Sequence, residues 1–516
     1  MSPREQSRTA SKKPGRTASK RCRAGFLSLI LLLQACSAAG SVDLSDARAA
    51  IEQPGAVDED TAPDDSDDVV AAAPSTAPTA PTTTTTVVVA APSNADAGVF
   101  GTIDDEGDEG AEATDQESNR SLAIDGQPDG ATVEERLDCV APSSEVTEQA
   151  PAWVVNALDA AVNHPDFAQL DVSVSVWIDG WGEVITRDPD LRLVPASNEK
   201  ILVAHAANEL LDPSSTFDTI IERVGTDLVL RASGDPTFST ERARNLVDQV
   251  AASGITSADR LIIDVSDFPQ PSAATGWESW QIRNFVGPLS GLMLDGNRWN
   301  TSDEFLETPA LLNGEWMADA LRLAGVSVGS VEVGTSPTGR TVGTVSSAPV
   351  GALVRDMMLF SNNQIADMTV LQLGLIEGQG TLVDGIAQID DVLADLCVPL
   401  SGIMDDGSGL SRSNLRSARE FQEILRGIRA SDTADVFEEQ LPIGGVNGTL
   451  RNRFGGDAGR VLAKTGTIFG GRALSGYATT DSGRDVVFSI LINGDRETTS
   501  SSLGAMDALV RTILRS

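Results

Sequence analysis

Apolar and polar positions divide the chain into a patterned region that starts near residue 150 and a long unpatterned stretch before it. In PAWVVNALDAAVNH (151–164) the apolar residues recur at helical spacing, and DVSVSVWIDGWGEVITRD (171–188) then alternates and turns at Asp179-Gly180, a hairpin signal. At the other end GGRALSGYATTDSGRDVVFSILING (470–494) is a second hairpin turning near Asp481-Ser482-Gly483, followed by a helical tail, SLGAMDALVRTILRS. Terminal helices flanking hairpins predict one antiparallel sheet covered by helices and assembled from both ends of the ordered region. Between them, 214–345 has another texture, with short strand-like runs (DLVLRAS, RLIIDVSD, SVGSVEVG) separated by turns. The helical period returns in VGALVRDMMLF, in QIADMTVLQLGLIEG after a polar break, and in SAREFQEILRGIRA (417–430).

Residues 41–149 read differently. Runs such as APSTAPTAPTTTTTVVVAAPSNADAG and DDEGDEGAEATDQESNR carry one aromatic, Phe100, and too little apolar surface to offset chain entropy, so a disordered acidic Pro/Thr-rich linker is expected. Ahead of it, SKKPGRTASKRCR is a basic run and AGFLSLILLLQACSAAG (24–40) an uncharged apolar one, short for a spanning helix. Residues 1–40 are therefore expected to be a signal peptide or membrane anchor that places the rest of the chain outside the cytoplasm, in the cell envelope, either anchored or secreted. Three processing routes stay open: lipidation at Cys36 in LLQAC, ordinary cleavage after SAA (37–39), and an uncleaved anchor. Any membrane contact is expected through this segment only.

The 516 residues allow two or three domains with a sizeable core. The formal charge of −37 includes +7 in residues 1–24, −23 in 41–150 and −21 over 151–516. With no basic stripe to displace counterions from phosphates, a nucleic-acid partner is excluded. Of four cysteines, Cys22 and Cys36 fall in the targeting segment, leaving Cys139 and Cys397 either as one disulfide or as two separate thiols. With only His164 and His205 besides, and no cysteine in a metal-ligand pattern, neither a metal nor another cofactor is expected.

The chemistry is signalled by lysine. Of five lysines three lie in the basic N-terminus, and Lys200 and Lys464 are the other two; every other cation after residue 20 is arginine. Lysine can be tuned to lose its proton, which arginine cannot. Lys200 closes Ser197-Asn198-Glu199-Lys200 at a helix start, Ser361-Asn362-Asn363 fills the break between two helices, and Lys464-Thr465-Gly466-Thr467 lies on the strand-like RVLAKTGTI. A serine at a helix start is also a routine N-cap; the joint occurrence of the three, in this order and on these elements, carries the weight. A serine hydroxyl needs a base, and a neutral lysine at i+3 reaches it, its pKa lowered by burial and by a second cation, for which Lys464 is the candidate. Ser361 is placed to relay a proton to the leaving amine and Asn363 to hold the substrate backbone. The helix N-terminus and the strand at Thr467 offer oxyanion donors, and Lys464, Thr465 and Thr467 would bind a substrate carboxylate.

With SGDPTF (233–238), DDGSGLSRSN (405–414), LPIGGVNGTLRNRF (441–454) and LAKTGTIFGGRALSGY (462–477) in matching order, residues 150–516 resemble the low-molecular-mass class C penicillin-binding proteins, the D-alanyl-D-alanine carboxypeptidase/endopeptidase family of penicillin-binding protein 4 type. The resemblance implies an α/β protein of α+β type, with a penicillin-binding transpeptidase-like catalytic domain (150–213 and 346–516) whose antiparallel sheet is flanked by helices, and an inserted smaller β-rich domain (214–345). It implies a serine-lysine acyl enzyme acting on peptidoglycan stem peptides, with β-lactams as covalent inhibitors. By position it makes Ser197 the nucleophile, Lys200 the base, Ser361 and Asn363 the second motif, and Lys464, Thr465 and Thr467 the third. Two features depart from it: 164 residues separate Ser197 from Ser361, a short gap for the family, and Asp367 stands where glutamate is usual. The rival readings are a β-lactamase, for which no Tyr-x-Asn second motif exists, and a binding module that holds penicillin or peptidoglycan without turnover. A Ser-His-Asp hydrolase is disfavoured because His164 and His205 read as surface or packing residues.

Overall fold

The computed structural model describes residues 146–516 apart from 270–272 and 301. The targeting segment, residues 41–145 of the acidic linker and Cys22, Cys36 and Cys139 lie outside the described residues. The last linker residues, 146–149, are described, and Val146 to Glu148 pair with Gly180 at the first hairpin turn, so order begins slightly earlier than expected. Among the described residues, no helix is long and apolar enough to cross a membrane.

Along the chain, helix α1 (Ala152–Val162) leads to strands β1 (Asp171–Ile178) and β2 (Gly182–Arg187), then a 3-10 turn (Ala196–Glu199) runs into α2 (Lys200–Leu210). The intervening segment holds β3 (Asp218–Val224), β4 (Asp227–Ala232), α3 (Thr240–Ala252), β5 (Ser257–Asp264), the short α4 (Ser279–Asn284) and α5 (Asp303–Glu307), α6 (Pro309–Leu323), β6 (Ser327–Val333) and β7 (Arg340–Ser346). Then follow α7 (Val350–Phe360), α8 (Asn363–Gly374), α9 (Leu382–Ala394), α10 (Ala418–Ala430), α11 (Ala434–Gln440), β8 (Val461–Ile468), β9 (Gly471–Thr479), β10 (Asp485–Asn493) and α12 (Arg496–Leu514).

Both ends of this region build one antiparallel sheet, ordered β2-β1-β10-β9-β8. Its period-2 alternation sorts side chains onto two cores. Val172, Val174, Val176 and Ile178 of β1 and Val486, Phe488, Ile490 and Ile492 of β10 face Val154 and Leu158 of α1 and Leu509 and Val510 of α12. The opposite face meets a helical layer through Tyr477, Val487 and Leu491. In that layer α10 buries Phe421, Ile424, Leu425 and Ile428, at i, i+3, i+4 and i+7, after a start capped by Ser417, whose Oγ accepts from the Glu420 amide at 3.2 Å. Strand β8 is an edge, and by the same alternation Leu462 and Lys464 point toward the helices.

The second sheet, β6-β5-β4-β3-β7, is mixed: β4, β5 and β6 run parallel, while β3 is antiparallel to β4 and β7. Parallel neighbours need crossovers, which α3 and α6 supply, so the five-stranded sheet of this inserted segment carries helices of its own. It has its own core, including Leu230, Leu246, Ile263 and Met317.

Candidate active site

The three motifs meet at the junction of edge strand β8 with α2, α7 and α8. The first two are held by unusual backbone, while the third lies on the regular strand β8. Ala196 has φ 49° immediately before Ser197, and Ser361 ends α7 in the left-handed region at φ 57°. Such conformations are costly for residues with a Cβ and persist where the surroundings over-determine them. Asn362 then caps α8, accepting from the Ile365 amide at 3.1 Å. Ser361 is thus a helix terminator, and the N-cap is its neighbour.

Lys200 is fully buried, and its Nζ has three neighbours: Ser197 Oγ at 3.0 Å, Asn363 Oδ1 at 2.9 Å and the Ser408 carbonyl at 2.5 Å. The amide orientation of Asn363 follows from its surroundings, since its Nδ2 donates to the Phe285 carbonyl at 3.2 Å. Two of the three partners can only accept. A neutral amine therefore uses its two N–H groups on them and turns its lone pair to the Ser197 hydroxyl, the arrangement a general base needs. Burial pulls Lys200 from 10.5 down to about 8, against Asp367, Asp406 and Glu199, which favour the charged form. Lys464, also fully buried, is pulled well below its ordinary value by burial first and by Lys200 second. Repulsion between the two amines is mutual, but it falls on Lys464, which donates only to Ser361 Oγ at 2.9 Å and the Thr465 carbonyl at 2.8 Å. Thus desolvation, rather than the second cation, tunes Lys200. Asn363, expected to hold substrate, is engaged with Lys200 and Phe285 in the free site.

Residues without a role at the level of motifs build the support. Asp367 is buried, and its Oδ1 accepts from the amides of Gly407 and Ser408 at 3.0 and 2.8 Å, fixing the carbonyl that receives Lys200. Asp406 accepts from the Gly409 and Ser411 amides, Asn414 Nδ2 and Trp277 Nε1 at 2.6–2.8 Å. The run DDGSGLSRSN is therefore a carboxylate-pinned loop beneath Ser197, and its Gly/Ser/Asp composition was the available signal. Behind Lys200, Glu199 and Glu420 are buried with Arg416 between them, at 3.4 and 2.7 Å. Burial pushes Glu199 up to about 8 even so, with Arg416 pulling the other way.

Ser197, Ser361, Asn363, Thr465 and Thr467 line a cleft of about 380 Å³, joined by Thr449, Arg453 and Arg472. Thr465 Oγ1 donates to Thr449 Oγ1 at 2.8 Å. The two histidines lie elsewhere: His164 Nδ1 accepts from the Asp166 amide at 3.2 Å, and His205, buried and pulled down to about 4, faces Glu209 at 3.9 Å in a separate cavity. Tyr477 is buried with its hydroxyl on the Leu425 carbonyl at 2.8 Å. Cys397 is disulfide-bonded, and its partner lies outside the described residues.

A helix-flanked antiparallel sheet with a serine-lysine pair at its edge defines the penicillin-binding transpeptidase-like class. Penicillin-binding protein 4 of Haemophilus influenzae has this fold, with a TM-score of 0.61 at 19% identity over 70% of this chain and all of that one; its β-lactam complex superposes at 0.56 and 20%. The chain belongs to the D-Ala-D-Ala carboxypeptidase 3 (S13) family, whose model matches residues 154–305 and 305–513. Carboxypeptidase DacB of Mycolicibacterium smegmatis is 30% identical over 389 residues, 70% of this chain and 84% of its own length. The D-alanyl-D-alanine carboxypeptidase of Actinomadura sp. is 29% identical over 406 residues, 60% of this chain and 75% of its own.

Proposed function

We propose that Ser197, Lys200 and Ser361 carry out the chemistry of this serine-type D-Ala-D-Ala carboxypeptidase, which trims peptidoglycan stem peptides through an acyl-enzyme. Neutral Lys200 takes the Ser197 proton as Oγ attacks the penultimate D-Ala carbonyl, and the oxyanion is received by the Ser197 and Thr467 amides. Collapse breaks the amide bond, and Ser361, held by Lys464, passes a proton to the departing nitrogen. Water then hydrolyses the ester and regenerates Ser197. Asn363 releases part of its present bonding to hold the peptide, and Thr465 and Thr467 receive its carboxylate; an anion there would restore the charge that burial disfavours on Lys464.

The observation that supports this most is the Lys200 amine, buried, lowered and flanked by two obligate acceptors with the serine hydroxyl as third partner. β-Lactams enter the same cycle as covalent inhibitors. A β-lactamase reading fits less well, because the lone tyrosine is spent on the Leu425 carbonyl. The test is D-alanine release from a D-Ala-D-Ala pentapeptide together with labelling by fluorescent penicillin. Ser197→Ala abolishes both, and Lys200→Arg nearly so, since arginine stays charged; robust labelling of either refutes the assignment.

The site of action is the cell envelope. A disulfide at Cys397 suits an oxidising compartment, and export through residues 24–40 is the proposed route. The mass of the mature protein distinguishes cleavage, lipidation at Cys36 and an uncleaved anchor.

A further inference from the structure

A second cavity, of about 480 Å³, lies where α2, α9 and α10 end together. Its described lining includes Glu209 from the last turn of α2, Asp395 at the end of α9 and Asp432 just past α10, and no lysine or arginine. Helix C-termini carry partial negative charge, which a basic residue in the last turn ordinarily balances. Neither α2 nor α9 has one, and Arg429 of α10 is taken by Glu438 at 2.8 Å. Of the three carboxylates, Asp395 is already engaged and Asp432 is exposed, which leaves Glu209 beside the buried wall. That wall holds a histidine with incomplete bonding. His205 is 1% exposed, and among the described residues neither of its ring nitrogens has a hydrogen-bond partner. Its Nδ1 faces Glu209 Oε1 at 3.9 Å, too long for a hydrogen bond. Buried polar atoms left unpaired in a native fold are uncommon and point to a partner that is missing.

The surroundings indicate a cation. Burial pulls His205 down to about 4, so at neutral pH the ring is uncharged and one nitrogen holds a lone pair that lacks a donor. A positively charged donor there also meets the Glu209 carboxylate and the negative ends of three helices. No three His, Cys, Asp or Glu side chains among the described residues form a metal-ligand set, which favours an organic cation. Leu210, Val392 and Leu396 supply an apolar wall suited to an aliphatic stem. We propose that this cavity is a second ligand site, in which His205 and Glu209 bind the primary ammonium group of an aliphatic amine, carried on a peptide side chain or on a free diamine. It shares no described lining residue with the Ser197 cleft. Along α2, about 14 Å of helix separates Glu209 from Lys200, so an occupant would sit at the far end of the helix that presents the catalytic lysine.

Because His164 and His205 are the only histidines, the imidazole NMR signals of the full chain report on the site, with His205→Leu assigning them. The probes are Nα-acetyl-lysine methylamide, cadaverine, uncharged n-pentanol and magnesium chloride. Either amine is expected to shift the His205 signal saturably and to leave His164 in place, whereas pentanol and magnesium chloride leave both; the tighter amine identifies the peptide or the free diamine as the source. Glu209→Gln, a change at a partly exposed side chain, is expected to raise the Kd of the amine about tenfold, with thermal melting to confirm its fold. Acylation by penicillin fills the Ser197 cleft and is expected to leave that Kd unchanged. The proposal is overturned if no saturable shift occurs at His205, or if pentanol or magnesium chloride reproduces it, which would mean an apolar cavity or an effect of metal or salt. It is overturned equally if folded Glu209→Gln binds as tightly as the wild type, or if acylation abolishes binding, which would place the amine in the Ser197 cleft.

Discussion

Gly409 lies where the carboxylate-pinned loop passes beneath the nucleophile, and replacing it with alanine tests how tightly the site is built. Its φ is +79°, and a Cβ there would stand 1.9 Å from the Ala196 carbonyl oxygen, 2.3 Å from its carbon and 2.9 Å from the Ser197 nitrogen. A relaxed C···O contact is about 3.3 Å, so the overlap is about 1.4 Å, and its nearest neighbours are backbone rather than a side chain able to swing away. The left-handed conformation adds about 1–2 kcal/mol for a residue with a Cβ. Either the loop or the Ala196–Ser197 turn must move by roughly an ångström. Both movements separate groups that now touch, since the Ser408 carbonyl one residue away anchors Lys200 and lies 3.3 Å from Ser197 Oγ. Displacement on this scale costs on the order of 10²-fold in rate. The assay is the second-order rate of acylation by fluorescent penicillin for Gly409→Ala, with melting to confirm folding. Gly455→Ala is the control, because a Cβ at Gly455 meets nothing within 4 Å. Acylation within about threefold of wild type by a folded Gly409→Ala would refute the claim that this contact positions the serine.

Acylation is expected to rise with pH through about 8, as Lys200 sheds its proton, and to level off above; a flat profile from pH 6 to 9 contradicts the general-base role. The same depression affects stability: between about 8 and 10.5 the unfolded chain holds a proton that the folded one lacks, so this group makes stability rise with pH across that window, as denaturant melts would show. Near neutral pH Glu199, pushed up to about 8, is mostly protonated, so Arg416→Met leaves the Glu420 carboxylate buried without its cation and should destabilise the protein by about 3–5 kcal/mol. Urea unfolding that shows no loss would mean that the triad contributes nothing net.

Local pattern was enough to reach the three motifs and the strands that frame them, because a serine three residues before a lysine and a Lys-Thr-Gly on a strand depend on nearest neighbours. The alternation of β1 likewise announced a strand, but alternation marks only one packed face, and that Ser173 and Ser175 on its polar face are buried as well was decided by the fold. What the motifs do to one another depended on the folded chain. Lys200 approaches Asn363 and Ser408, 163 and 208 residues away, and no local rule predicts that two of its partners can only accept. The burial that lowers it comes from elements distant in sequence, so the expected role of Lys464 as tuning cation gave way to desolvation. Asp367 and Asp406 were equally illegible: each is an ordinary polar residue on a helix or loop until folding sets it against a particular amide. Residue types and short-range spacing encode which chemistry is available, while proton positions, strain and charge in the cleft are properties of contacts that exist only once both ends of the chain have met in one sheet.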